Sequence, residues 1–274
     1  MKTIMTKILN MFTGNVENHV ERTEIKSQSL QKIENYISYF GCVFFLEEDQ
    51  KYELKDCVFE NCSFRTDVTL QNVKGCHFVN CNFSNMLSVE LDVSKTTVFP
   101  KEVLQLSSLT HLSLFSFDIE QLPVEIFRLP VLTHLELSGS YIEELPIEFS
   151  QLSSLTHLDL SNSSVTKLPR EILQLPSLTH LDLSTTGIFE LPREIEQLSS
   201  LTHLNLAYTQ IAELPREIEQ LSSLTHLNLS HTLITELPRE LFQLSSLKYL
   251  KMRCTPITKL PEEIGNLTLL SNWI

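Results

Sequence analysis

The chain has few glycines, few basic residues and no long apolar run. It contains 6 glycines in 274 residues, and none of them builds a phosphate-binding glycine loop. The sequence has neither a His-Glu-x-x-His zinc motif nor a Gly-x-Ser-x-Gly nucleophile elbow. The chain contains 21 basic and 34 acidic residues, and the formal net charge of −13 argues against binding to nucleic acid or anionic lipid. We therefore expect a protein that is not an enzyme and that needs no cofactor.

The N-terminal segment does not have the pattern of an export signal or of a membrane span. Lys7 and Asn10 interrupt its apolar residues, and no small-residue cleavage site follows. No stretch of the chain is apolar for long enough to cross a bilayer. We expect no membrane insertion. The protein is expected to be cytoplasmic in the producing cell, or to be delivered to a host cytoplasm without a cleaved signal peptide.

A block of 23 residues repeats through most of the sequence. It begins as Leu-Thr-His-Leu-Ser-Leu at 109–114, and it ends in Leu-Pro-x-Glu-Ile at 122–126. The frame restarts at Leu132 and at every 23rd residue up to Leu247, and a degraded copy starts at Met86. A fixed period in this range predicts a solenoid, because one unit cannot bury its apolar face without its neighbours.

The spacing Leu-x-x-Leu-x-Leu, followed five positions later by an apolar residue, resembles the leucine-rich repeat family. The resemblance covers 86–274, as eight units and a partial ninth, and it implies an α/β horseshoe. In this fold a parallel sheet lines the concave face, and short helical or 3₁₀ segments lie on the convex face. The Leu-Pro-x-Glu-Ile pattern and the 23-residue length look like the bacterial repeat proteins that include effectors of intracellular pathogens. This resemblance implies recognition of a host protein.

The first 85 residues are expected to form an N-terminal cap. Residues 1–51 have apolar positions at partly helical spacing, which predicts a helical region. Within 52–85, two segments starting at Cys57 and Cys76 share the pattern Cys-x-Phe-x-x-Cys-x-Phe, which resembles the pentapeptide-repeat family. We interpret 52–85 as a β cap over the first repeat, and its cysteines as small buried apolar groups rather than zinc ligands or disulfides.

Strand alternation predicts the side chains that face outward from the concave sheet. A first column holds a histidine in six successive units, and a second column is acidic in the middle of the array. The candidate partner-binding residues in these columns are His134, Glu136, His157, Asp159, His180, Asp182, His203 and His226. Four residues that break the repeat complete the set: Tyr208, His231, Tyr249 and Arg253.

Three interpretations of the histidine column are open. The histidines are copies left by duplication, or they contact a partner, or pairs of them with an aspartate bind a divalent metal. The first hypothesis for function is a scaffold or adaptor that binds an unidentified, possibly host, protein on the concave face. The alternatives are a metal-binding surface and a structural protein that assembles end to end. The protein is otherwise expected to be a monomer or weakly self-associating.

Overall fold

The computed structural model describes residues 23–47, 50–83, 87–92, 103–104, 106–115, 121–270 and 272–273. The first part of the described chain is a parallel β-coil built from short strands. One face has the sheet order β1-β3-β6-β9, and a second face has the order β10-β7-β4-β2. The bounds are β1 Thr23–Lys26, β2 Ser29–Leu30, β3 Ile37–Phe40, β4 Val43–Phe44, β5 Lys51–Lys55, β6 Val58–Glu60, β7 Ser63–Phe64, β8 Val68–Lys74, β9 His77–Val79 and β10 Asn82–Phe83.

A third face continues into the repeats as one 11-stranded parallel sheet. Its order runs from β19 back to β11, and then to β8 and β5. The N-terminal coils therefore share a sheet with the repeats. The remaining bounds are β11 Leu87–Asp92, β12 His111–Phe115, β13 His134–Glu136, β14 His157–Asp159, β15 His180–Asp182, β16 His203–Asn205, β17 His226–Asn228, β18 Tyr249–Lys251 and β19 Asn272–Trp273.

The convex side of the repeats carries short 3₁₀ helices, as the sequence predicted. In most of them a proline in extended conformation precedes the helix. Pro192, for example, has a φ of −69°, and its carbonyl oxygen accepts the first hydrogen bond of the helix, from Ile195 N at 3.0 Å. Proline loses no hydrogen bond at this position, because the amide there would have no partner in the helix. The helices are Val124–Arg128, Ile147–Gln151, Ile172–Gln174, Arg193–Gln197, Arg216–Gln220, Arg239–Gln243 and Glu262–Asn266.

The prediction of helices near the N-terminus is wrong for the described residues that follow Thr23. Strands β1 to β4 lie there, and residues 1–22 lie outside the described residues. The helical spacing of Ile33, Ile37 and Phe40 was misleading, because the best-buried rings, Tyr39 and Phe44, follow the five-residue spacing of the coil. Burial in this part is set by partners in the next coil rather than by neighbours in sequence.

One continuous core runs through both parts of the protein. In the N-terminal coils, Phe59 stacks between Tyr39 and Phe78, with ring centroids 5.2 and 5.0 Å apart. Phe64 likewise lies 4.7 Å from Phe44. In the repeats, the inward leucines of each strand replace these rings, and both sets belong to one buried cluster. The N-terminal coils thus cover the first repeat with an apolar surface that matches its own core.

The predicted burial of the cysteines is confirmed for three of the four in 52–85, while Cys81 is only partly buried. Cys57, Cys62 and Cys76 are buried free thiols. The Sγ of Cys62 lies 3.5 Å from the carbonyl oxygen of Tyr39, in the coil before it. These side chains act as small apolar groups with weak S–H donors.

Candidate functional site

Strands β13 to β18 of the concave face have three residues each and stack in strict register. His134 pairs with His157, and His157 pairs with His180, so each outward position becomes a straight column. Parallel strands are about 4.8 Å apart, which sets the spacing along each column. The middle residue of each strand, such as Leu158, points inward and is buried, which fixes the other two side chains on the outer face.

The histidines form a stacked ladder. Ring centroids from His111 to His226 are 3.8 to 4.0 Å apart, with interplanar angles of 12 to 15°. Tyr249 extends the ladder at 4.2 Å from His226. The histidines are only partly buried. The predicted histidine column is therefore a continuous aromatic stack.

Burial keeps the imidazoles neutral at pH 7. Desolvation first, and then the nearby rings of His111 and His180, lower the pKa of His134 to about 4. The pKa of His203 is lowered to about 4 by the same causes. The pKa values of His157 and His180 are also lowered, first by desolvation and then by neighbouring histidines. The ladder is thus an uncharged polar surface.

A threonine before each histidine holds the ring in place. Thr156 Oγ1 donates to the carbonyl oxygen of Thr133 at 3.0 Å, and lies 2.8 Å from Nδ1 of His157. The same pair of contacts recurs for Thr179 with His180. Our sequence reasoning missed this threonine column, although Thr recurs in six units as regularly as His does. Only the structure shows that its hydroxyls join adjacent repeats.

The carboxylates form a second column beside the ladder. Glu136, Asp159 and Asp182 face one another in register on successive strands. Ser113 Oγ donates to Glu136 Oε2 at 2.7 Å, and Asn205 Nδ2 donates to Asp182 Oδ2 at 2.9 Å. A shallow depression on this face is lined by residues from both columns. Three negative charges therefore lie in line at the centre of the sheet.

Of the repeat-breaking residues, Tyr249 lies on this face at the end of the ladder, whereas Tyr208, His231 and Arg253 lie beyond the strands. Tyr208 and His231 occupy left-handed turns with φ of 59°, and their rings stack at 4.1 Å. Tyr208 is 57% exposed. Arg253 follows the C-terminal end of β18 and is exposed, while Lys251 ends the second column. The structure thus groups the candidate residues as a central face, an aromatic edge and a basic end.

Behind the face, a buried hydroxyl replaces the asparagine found in many leucine-rich repeats. Thr186 and Thr209 donate to carbonyl oxygens three residues earlier, at 2.6 and 2.7 Å. Ser163 and Thr232 make the same bond. These bonds satisfy buried groups at the point where each chain segment leaves the sheet.

Comparison with known proteins identifies the repeats. A family model described as a leucine-rich repeat matches residues 130–188, and one described as a leucine-rich repeat region matches residues 194–272. The chain is a leucine-rich repeat protein. A search of curated proteins found no match to this leucine-rich repeat protein.

Several solved structures are similar to it. One is the leucine-rich repeat protein LIC12759 of Leptospira interrogans, with 25% identity, a TM-score of 0.60 and coverage of 85% of this chain and 70% of that one. Internalin C2 of Listeria monocytogenes has 21% identity, a TM-score of 0.59 and coverage of 68% and 79%. A plant receptor kinase ectodomain from Arabidopsis thaliana has 21% identity, a TM-score of 0.56 and coverage of 89% and 37%. The horseshoe fold predicted from the repeat is therefore confirmed.

Proposed function

We propose that this leucine-rich repeat protein is a non-enzymatic scaffold that binds a protein partner on its concave face. The observation that carries the proposal is the pair of ordered polar columns, the histidine ladder and the carboxylates, on an accessible rigid sheet. A rigid face loses little conformational entropy when a partner binds, so its side chains are pre-organised for recognition. Leucine-rich repeat domains commonly mediate protein–protein interaction, which agrees with this role.

The partner is proposed to be a host protein, with this protein acting as a bacterial effector in a host cytoplasm. The Leu-Pro-x-Glu-Ile pattern and the 23-residue unit support this part of the proposal. The plant ectodomain that shares the fold is in complex with Casparian strip integrity factor 2, so a horseshoe of this kind accommodates a partner. Among the described residues, no helix is long and apolar enough to cross a bilayer.

The ring geometry makes the metal-binding alternative less favourable. His157 and His180 are parallel within 13°, so equivalent ring nitrogens point in the same direction instead of converging on one ion. A tetrahedral zinc site needs ligand lone pairs that converge. Metal binding would therefore require the stack to open. End-to-end assembly is a separate alternative, and a concentration series in sedimentation velocity tests it directly.

The test is affinity capture from a eukaryotic cell lysate with three forms of the protein. The first is wild type, and the second carries alanine at His157, Asp159, His180 and Asp182. The third is a matched control with alanine at Glu196, Gln197, Glu219 and Gln220, which removes the same number of carboxylates from the convex 3₁₀ helices. Circular dichroism and thermal unfolding check that all three are folded.

We expect a protein that is retained by the wild type and the convex control, and lost by the concave variant. Retention by all three forms would contradict recognition through the concave columns and would move the site to the aromatic edge or the N-terminal coils. If only the convex control fails to retain the captured protein, recognition is assigned to the convex face.

A further inference from the structure

The threonine–histidine contacts favour one direction of hydrogen bonding along the ladder. Thr156 Oγ1 donates its proton to the carbonyl oxygen of Thr133 at 3.0 Å. A hydroxyl has a single proton to donate, so it can only accept from the imidazole beside it. The Thr133 carbonyl also accepts from the backbone N–H groups of Thr156 and His157. With the hydroxyl proton directed to this carbonyl, Nδ1 of His157, at 2.8 Å, is assigned as the donor to Thr156 Oγ1. The same reasoning holds for the other units of the ladder.

This arrangement selects one neutral tautomer for every ring. With the proton on Nδ1, the Nε2 atom of a neutral imidazole is an acceptor. The hydrogen bonds found among the described residues use Nδ1 of His134, His157 and His180. Nδ1 contacts the threonine hydroxyl, so Nε2 is the ring nitrogen that is left to contact a ligand. The ladder thus presents a row of acceptors with the ring spacing of about 4 Å.

The neighbouring column consists of acceptors as well. Glu136, Asp159 and Asp182 lie on adjacent strands about 4.8 Å apart, where like charges directly opposite each other are destabilising. Hydrogen bonds within the face use part of their oxygens, as from Ser161 N to Asp159 Oδ1 at 2.8 Å. The centre of the face therefore combines negative charge with an excess of acceptors over donors. The complementary ligand is a cation with several N–H donors.

The spacing between the two columns favours a guanidinium over an ammonium group. His157 and Asp159 are two residues apart on one strand, which separates their Cβ atoms by about 6.7 Å. A single ammonium nitrogen making two hydrogen bonds of about 2.9 Å spans only about 5 Å between its acceptors. A guanidinium donates from separate nitrogens in a planar fork, and it reaches further. A guanidinium therefore suits a separation of this order better than an ammonium group does.

We propose that the partner segment seated on the concave face carries arginine side chains, each of which bridges an imidazole Nε2 and a carboxylate between Glu136 and Asp182. This inference rests on the concave-face recognition proposed above, and it specifies the chemistry of the partner. The occupant is a basic segment of a protein, and successive strands bind successive arginines.

The tautomer is measured first, and without any ligand. Nitrogen-15 NMR of histidine-labelled, full-length protein at neutral pH is expected to show protonated Nδ1 and unprotonated Nε2 in the ladder. In Thr156→Val, which keeps a β-branched side chain but removes the hydroxyl, the His157 signals are expected to lose this preference. Protonated Nε2 throughout the wild-type ladder would overturn the inference, because the face would then present donors.

Peptide binding is measured next, by titration calorimetry. The probes are blocked peptides in which arginine, lysine or glutamate alternates with glycine and serine. We expect the arginine peptide to bind the wild type more tightly than the lysine peptide, and the glutamate peptide not to bind. Asp159→Asn with Asp182→Asn should weaken the arginine peptide at least about tenfold, since charge-assisted hydrogen bonds are lost. Glu196→Gln with Glu219→Gln, on the convex side, should leave its affinity unchanged.

The outcomes separate this inference from the proposed function. Equal affinity for arginine and lysine peptides would overturn the bridging geometry, and equal weakening by the concave and convex pairs would overturn the location. If these peptide results fail while the concave alanine variant still loses a captured protein, only the arginine assignment is wrong. If the concave alanine variant captures what the wild type captures, the concave-face function itself is wrong.

Discussion

Lowering the pH from about 7.5 to about 5 is expected to destabilise the protein through its histidine ladder. Desolvation, reinforced by neighbouring imidazoles, lowers the pKa of His134 and His203 to about 4 in the folded protein. An unfolded histidine titrates near 6.5. Because the folded pKa is the lower one, the full stability is present above about pH 6.5, and it is lost as the pH falls from there towards 4.

The size of the effect follows from the difference between the two pKa values. At about pH 5 an unfolded histidine is charged and the folded one is not, which costs about 2 kcal/mol for each group at about 1.4 kcal/mol per pH unit. Solvent screening of the partly exposed rings reduces this to about 1 kcal/mol. His134 and His203 together therefore account for a loss of about 2 kcal/mol between the two pH values.

Urea unfolding followed by circular dichroism at both pH values measures this loss. The matched control is His134→Phe with His203→Phe, which keeps a stacked ring at both positions but cannot titrate. The wild type should lose about 2 kcal/mol more than this variant on acidification. General acid effects on the carboxylates act on both proteins and cancel in the comparison. An equal loss in the two proteins would refute the argument that the ladder is held neutral by its burial.

Three further outcomes are expected. Thr185 has a φ of 58°, so Thr185→Gly should raise stability by about 0.5 to 1 kcal/mol in thermal unfolding, whereas Thr186→Gly, which removes a buried hydroxyl, should lower it. Phe59→Ala should cost about 3 to 5 kcal/mol, while the 46% exposed Phe189→Ala should change stability by less than about 0.5 kcal/mol in the same assay. Zinc or nickel chloride should leave the melting temperature unchanged, and a dose-dependent rise would restore the metal-binding alternative.

The repeats were predictable because each unit buries leucines at the same positions. The leucines at positions such as 155, 158 and 160 define the inward side of a strand and the turn before it, and the structure buries all three. The register follows from the constant unit length, since any slip would move leucines from the core to the surface. The histidine and carboxylate columns could be read from the sequence for the same reason.

The N-terminal coils were harder to predict because their burial depends on distant partners. Tyr39 lies against Phe59 in the next coil, and Phe59 lies against Phe78. No short window of sequence contains such a pair, whereas the local spacing of Ile33 and Ile37 resembles a helix. The two Cys-x-Phe-x-x-Cys-x-Phe segments gave the only clear signal, and they lie in the later coils. The pentapeptide-repeat resemblance remains a hypothesis based on those segments.

The histidine ladder and the charge of the concave face depend on each other. Charged imidazoles beside Glu136, Asp159 and Asp182 would neutralise that column, and the face would lose its preference for a cation. Burial by stacking prevents this at neutral pH, because it lowers the pKa values of the rings. The threonine bonds keep the rings stacked and hold Nδ1 against the threonine hydroxyls. A repeated Thr-His pair thus keeps positive charge away from the adjacent carboxylates, which gives a physical reason for the pair to recur beside an acidic column.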